Sequence, residues 1–280
     1  RTTRSRPDAK ITHTAPAPSE IAKSPPVTVG LISDPKLTLK ALADALTDAV
    51  TPAQRVAAAE RMRAIGAANE RTLLDARSRD EAARDAVPLH MSAFAAELAN
   101  HLPENAILFD ESLTHFPELT RWLPPRAPGS FFQTPGGTLG VGLPGAIGVK
   151  LAHPERTVLG FSGDGGSMYT FQALWTAARY RIGAKFVVCN NGGYRLLKQN
   201  LLDYWRGLGL TPDQFPEFPA SFDIRDPGLD FVGLAQALGV PGQRVATPAD
   251  ITPAIEAMLA HDGPFLIDLL LDGSVQRPVS

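Results

Sequence analysis

The 280-residue sequence contains one cysteine, Cys189. A single thiol excludes an internal disulfide framework and a cysteine-rich zinc site, and it fits a reducing compartment, the cytoplasm. An excess of one charge is also lacking: 27 basic residues meet 29 acidic ones, for a net charge of -2. No global basic field argues for nucleic acid or for an anionic membrane surface. The longest nearly apolar window, Leu139 to Leu151, is broken by Gly, Pro and Lys and is too short to cross a bilayer. The chain begins at Arg1 with no charged stretch leading into an apolar core, so no signal peptide is expected. The polar opening Arg1–Pro7 reads as the interior of a longer chain. What is plentiful is apolar: 44% hydrophobic residues is the share of a soluble globular protein and too high for a disordered one.

Three regions differ in texture. Residues 1–50 read as a small α/β piece, with strands at Lys10–Thr14 and Val27–Leu31 and a helix from Pro35 carrying Leu39, Leu42, Ala45 and Leu46 at helical spacing. Two strands and one helix cannot bury a core, so this piece needs a partner. Residues 51–87 are rich in Ala, Arg, Glu and Asp and read as a solvent-washed helical linker. From residue 88 to 280 apolar runs alternate with helical patterns. Strands are expected at Ala106–Phe109, Ser130–Gln133, Thr157–Ser162, Lys185–Asn190, Gln243–Val245 and Phe265–Leu271. Helices are expected at Ser92–His101, Thr114–Leu123, Leu143–Ala152, Thr170–Arg181, Phe231–Leu238 and Pro248–Ala260. That alternation predicts an α/β fold: a doubly wound, mostly parallel sheet with helices on both faces. Residues 207–229 hold several prolines and no period, and read as a long ordered loop.

In such sheets ligands bind beyond the carboxyl ends of the strands. One predicted strand runs into Gly163-Asp164-Gly165-Gly166-Ser167, and the next into Asn190-Asn191-Gly192-Gly193-Tyr194. If the two strands are neighbours, Asp164 and Asn191 share one crevice. A carboxylate and an amide oxygen are hard ligands, suited to Mg²⁺ or Ca²⁺, and such a cation commonly completes its shell with a carbonyl, water and phosphate oxygens. Glycines let the main chain approach phosphates, and a helix starting near Thr170 would aim its N-terminus at them. The sum is a metal-bridged diphosphate site.

Gly163-Asp164-Gly165 followed by Asn190-Asn191 resembles the signature of thiamine diphosphate-dependent enzymes. Pro103-Glu-Asn-Ala-Ile, Glu111-Ser112, Pro128-Gly-Ser130, Leu143-Pro-Gly-Ala-Ile-Gly148, Pro154-Glu-Arg156 and Ala173-Leu-Trp-Thr-Ala177 extend the likeness to benzoylformate decarboxylase and its relatives. The likeness covers residues 88–280, which match the family's cofactor domain, with residues 1–50 similar to the close of its middle domain. It implies that Asp164, Asn191 and the Gly193 carbonyl ligate the metal. It places Leu113, Thr114, Gly163, Gly165, Gly166, Ser167 and Tyr194 around the diphosphate. Gly137 matches the carbonyl that accepts from the cofactor's 4′-amino group, Leu139 the residue that bends the cofactor, and Leu196 and Leu197 the substrate pocket. Two departures stand out: Gly166 where the family often has Ser, and Leu113 where a hydroxyl residue is usual.

The implied activity is non-oxidative decarboxylation of a small 2-oxo acid, with an acetolactate synthase-like carboligase as the alternative. The family's activating glutamate belongs to a first domain with no counterpart here. The resemblance therefore implies a partner domain, as the rest of the chain or as a separate polypeptide, a homodimer or tetramer, and no activity for this chain alone. Two rival readings remain. Gly140-Val-Gly142-Leu-Pro-Gly145 fits a dinucleotide fingerprint, although Pro135 argues against a strand feeding it. A regulatory or assembly module with a decayed cofactor site is the non-enzyme alternative. His115, beside Glu111-Ser112, is a weak catalytic candidate, and Trp122, Trp175 and Trp205 are expected to pack.

Overall fold

The structure, a computed structural model, describes residues 8–23, 26–133 and 137–275. Arg1–Pro7 and Pro135 lie outside the described residues. The chain divides into two compact units, residues 1–72 and 73–280.

In the first unit, strands β1 (Thr12–Ala15) and β2 (Val29–Ile32) pair in parallel. Helix α1 (Pro35–Ala49) starts where the Asp34 carboxylate accepts the Leu37 N–H at 3.0 Å and Pro35 fixes the first helical φ. Helix α2 (Pro52–Ala82) runs from this unit into the second. It is exposed along most of its length, as its charge pattern predicts, but Ala76 and Asp80 are buried. Asp80 explains the exception: its carboxylate takes the Arg121 guanidinium at 2.6 Å and the Trp122 indole N–H at 2.8 Å. A linker read as solvent-washed thus has Asp80, in its last turn, buried against Arg121 and Trp122.

The second unit is built on a six-stranded parallel sheet. Its elements are α3 (Met91–His101), β3 (Ile107–Glu111), α4 (Phe116–Trp122), β4 (Phe131–Gln133), α5 (Gly142–Ala152), β5 (Val158–Gly163), α6 (Asp164–Ser167), α7 (Ala173–Arg179), β6 (Lys185–Asn190), α8 (Arg195–Gly207), α9 (Phe231–Ala237), β7 (Gly242–Val245), α10 (Pro248–Ala260) and β8 (Phe265–Leu270). The strand order is β4-β3-β5-β6-β8-β7. Alternate residues of the central strands feed two cores. Leu159, Phe161, Val187, Cys189, Ile267 and Leu269 pack with α3, α4 and α10 on one face. Val158, Phe186, Val188 and Leu266 pack with α5, α7 and α9 on the other. Burial on both faces is why these strands read as nearly continuous apolar runs. Gly160 lets α5 lie close: a Cβ there would sit 2.6 Å from Ala146 Cβ.

Several expectations need correction. The helix expected from Thr114 begins at Phe116, after a 3-10 turn at Leu113–His115, because Pro117 suits the first helical turn. The helix expected near Thr170 is two pieces: the single turn α6 directly after β5, then α7 from Ala173. Helix α8 has no counterpart in the sequence reading. Leu202 and Trp205 close a satellite core with Phe215 rather than joining the main ones. Trp175 does not pack inside; it is 54% exposed. Among the described residues no helix is long and apolar enough to cross a membrane.

Candidate cofactor and metal site

Strands β3, β5 and β6 are adjacent in the sheet, so their carboxyl ends open on one crevice. The paired register sets Glu111 beside Ser162 and Gly163 beside Cys189, which brings the Gly-Asp-Gly turn against the Asn-Asn-Gly-Gly turn. Asp164 and Asn191 meet there. Oδ2 of Asp164 accepts the main-chain N–H of Asn191 at 3.0 Å and of Gly193 at 3.2 Å, and Oδ1 accepts that of Gly165 at 2.7 Å. Asp164 is 3% exposed. Burial raises its pKa above the ordinary aspartate value, against the pull of the surrounding N–H groups. No lysine or arginine pairs with it among the described residues. A buried carboxylate with donors but no counter-charge has the chemistry of a hard-cation ligand.

The turns around it need glycine. A Cβ at Gly165 would collide with the Tyr194 ring, and one at Gly166 would sit 2.7 Å from Glu111 Oε1. The departure at Gly166 therefore has a local reason: a side chain there would push on the Glu111 carboxylate. Glu111 is itself buried, and its two oxygens accept the N–H groups of Gly140 at 2.7 Å and Gly142 at 2.5 Å. This clamp, with Gly142 pressed on the Phe161 carbonyl and Gly145 on the Phe109 ring, accounts for the three glycines that mimic a dinucleotide fingerprint. Two of their amides are spent on a carboxylate of the same chain, not free for a pyrophosphate.

Both asparagines of the β6 turn are held from outside. Asn190 Nδ2 donates to Oδ1 of Asp268 on β8 at 2.9 Å, and the Arg244 Nε–H donates to Oδ2 of the same buried carboxylate at 2.9 Å. Asn191 Nδ2 lies 3.3 Å from Nε2 of His115, which is 4% exposed. Burial lowers the His115 pKa to about 3; the charges of Arg195 and His90 push the same way and Asp272 opposes. In the sequence His115 is marked only by its place beside Glu111-Ser112.

A cleft of about 480 Å³ opens beside these turns. Leu113, Thr114, Gly137, Leu139, Gly163, Asp164, Gly165 and Gly166 line it, as do Asn191, Gly193, Tyr194, Leu196 and Leu197. Ser167 does not line it. Its buried hydroxyl donates to the Asp164 carbonyl at 2.8 Å. The Gly193 carbonyl already accepts the Arg195 N–H at 2.9 Å, leaving one lone pair. Leu113 adopts φ 52°, a left-handed conformation that costs a non-glycine residue energy and recurs at ligand sites. Ser112, Tyr169 and Arg195 also line the cleft. Only Ser112 carried a sequence signal, its place after Glu111; Tyr169 and Arg195 lie just beyond the quoted motifs and had none. Among the described residues no three His, Cys, Asp or Glu side chains gather to hold a metal. A cation here would depend on one carboxylate, one amide and main-chain oxygen.

A sequence profile for the family described as "Thiamine pyrophosphate enzyme, C-terminal TPP binding domain" matches residues 115–269. The benzoylformate decarboxylase of Pseudomonas aeruginosa is 37% identical over 167 residues, 60% of this chain and 29% of that protein. The acetolactate synthase large subunit IlvG of Mycobacterium tuberculosis is 30% identical over 255 residues, 90% of this chain and 42% of that protein. Among solved structures, the thiamine diphosphate-dependent 4-hydroxybenzoylformate decarboxylase of Rhodococcus jostii RHA1 superposes with a TM-score of 0.59 and 35% identity, covering 67% of this chain and 33% of that one. The chain thus spans less than half the length of each of these relatives. It belongs to the thiamine pyrophosphate enzymes, and residues 115–269 are their C-terminal cofactor-binding domain.

Proposed function

We propose that the cleft holds the diphosphate of thiamine diphosphate through Mg²⁺, and that the chain supplies this half of the site for non-oxidative decarboxylation of a benzoylformate-like 2-oxo acid. The observation that carries the reading is Asp164: a buried carboxylate at the cleft wall, surrounded by N–H donors and, among the described residues, without a cationic side chain. In this reading Asp164, Asn191 Oδ1 and the Gly193 carbonyl hold the metal. Gly163, Gly165, Gly166 and Thr114 let main chain and hydroxyl reach the phosphate oxygens, with Leu113 and Tyr194 packed beside them. Ser167 acts indirectly, by fixing the Asp164 carbonyl. Gly137 and Leu139 seat the rest of the cofactor, and the exposed apolar side chains of Leu196 and Leu197 exclude water where the substrate's apolar group rests.

When bound, thiamine diphosphate supplies the electron sink that decarboxylation requires. Among the described residues Asp164 is the one carboxylate lining the cleft, and in this reading it serves the metal, so a further domain would supply the proton relay for the cofactor. A homo-oligomer or a longer polypeptide would bring that domain. The acetolactate synthase relative supports a second reading, carboligation of 2-oxo acids at the same site.

The test is titration of the full chain with thiamine diphosphate, with and without Mg²⁺, followed by calorimetry. Tight binding only with Mg²⁺, lost by about tenfold or more in Asp164→Ala, is the expected result. Binding that ignores both the metal and Asp164 contradicts the reading, and no binding at all favours a non-catalytic module. Turnover of benzoylformate against pyruvate, with the partner domain added, separates lyase from carboligase.

A further inference from the structure

We propose that His115 is a positioning residue: its ring nitrogen Nε2 holds the Nδ2 end of the Asn191 amide and so leaves Oδ1 as the end offered to the cation. The inference rests on the metal reading above and adds a requirement to it. The two ends of an asparagine amide have nearly the same shape, yet only the oxygen can ligate a cation. Something must therefore lift the degeneracy. Asn191 Nδ2 is a donor with no acceptor capacity, so the nitrogen it meets at 3.3 Å, His115 Nε2, must accept. The ring proton then resides on Nδ1. At the other end, Asn191 Oδ1 accepts the Gly193 N–H at 3.2 Å and keeps a second lone pair.

The contact is not incidental packing. His115 is 4% exposed in the 3-10 turn between β3 and α4, and burying a polar ring costs free energy unless it is hydrogen-bonded. Among the described residues the one side-chain hydrogen bond of its ring goes to Asn191. With the Asn191 N–H held by Asp164, the residue is fixed by main chain, amide oxygen and amide nitrogen together. An apolar residue would fill the same space but would leave the Gly193 N–H, shared with Asp164, as the group that tells the two ends of the amide apart.

The experiment uses the full chain, Mn²⁺ as the probe, saturating thiamine diphosphate, and the electron paramagnetic resonance signal of free Mn²⁺ as the readout. His115→Leu keeps the bulk and removes the acceptor; His115→Gln restores an acceptor oxygen. We expect the leucine variant to bind Mn²⁺ about tenfold or more weakly, and the glutamine variant to recover most of that loss, with cation-free thermal unfolding alike in both. Equal Mn²⁺ affinity in wild type and His115→Leu overturns the positioning role while leaving the metal site standing. Equal loss in both variants overturns it too. Should wild type bind no Mn²⁺ with the cofactor, the metal reading itself falls. Ring ¹⁵N shifts of His115 in the unmutated protein give a check that needs no variant: a proton on Nδ1 supports the inference, and a proton on Nε2 contradicts it.

Discussion

Residues 8–72 and 73–275 obey the same local rules and reach opposite results. In the first region the turn, cap and helix signals are strong: Asp34 caps α1, and β1 and β2 pair over four residues each. Yet among its described residues only Ala15 is buried, while Ile32, Leu39, Leu42 and Leu46 are exposed. The second region has few capping side chains on its helices but buries two apolar clusters, one on each face of its sheet. Secondary structure follows from local sequence; a core needs enough layers to close around it.

Three variants sharpen that contrast. The largest effect belongs to Gly160→Val. Its side chain would press on Ala146 Cβ and on the Gly142 carbonyl 2.7 Å away, where the main chain cannot give. A loss of about 3 kcal/mol in denaturant unfolding is expected, together with a displaced α5. Next is Lys185, 5% exposed, whose Nζ donates to the carbonyls of His261 and Gly263. Burial, aided by Lys150, lowers its pKa from 10.5 to about 8. The unfolded chain then binds more protons than the folded one between those two values, so stability should rise with pH across that window. Lys185→Met should flatten the rise by roughly 2 kcal/mol after allowance for solvent screening. An unchanged slope would place the titration elsewhere. The smallest effect is Leu42→Ala, expected within about 0.5 kcal/mol because the side chain is exposed. A cost like that of a core truncation would mean that residues 8–72 do own a core, and the contrast would fail.

Most of the fold was legible in the sequence: central strands buried on both faces leave long apolar runs such as Phe186–Cys189, while the mostly exposed edge strands β4 and β7 were placed by their alternation with helical patterns. Helix α8 escaped because its apolar residues serve a satellite core around Trp205 and not the sheet. The break at Thr170 was misread because α6 is only four residues long, less than one period of any pattern. At the site, the juxtaposition of Asp164 and Asn191 was readable from two turns that follow neighbouring strands. The Glu111 clamp, the His115 contact and the Asp268 anchor were not, since each joins residues from 29 to 78 positions apart through side chains that no local pattern marks.

The central claim is that Asp164 and Asn191 share one cation. Crystals of the full chain grown with Mn²⁺ and thiamine diphosphate, measured at a wavelength where manganese scatters anomalously, test it directly. The account predicts a single strong anomalous peak within ligand distance of an Asp164 carboxylate oxygen and of Asn191 Oδ1. Cofactor density in the cleft with no such peak, or a peak on other residues, would contradict it.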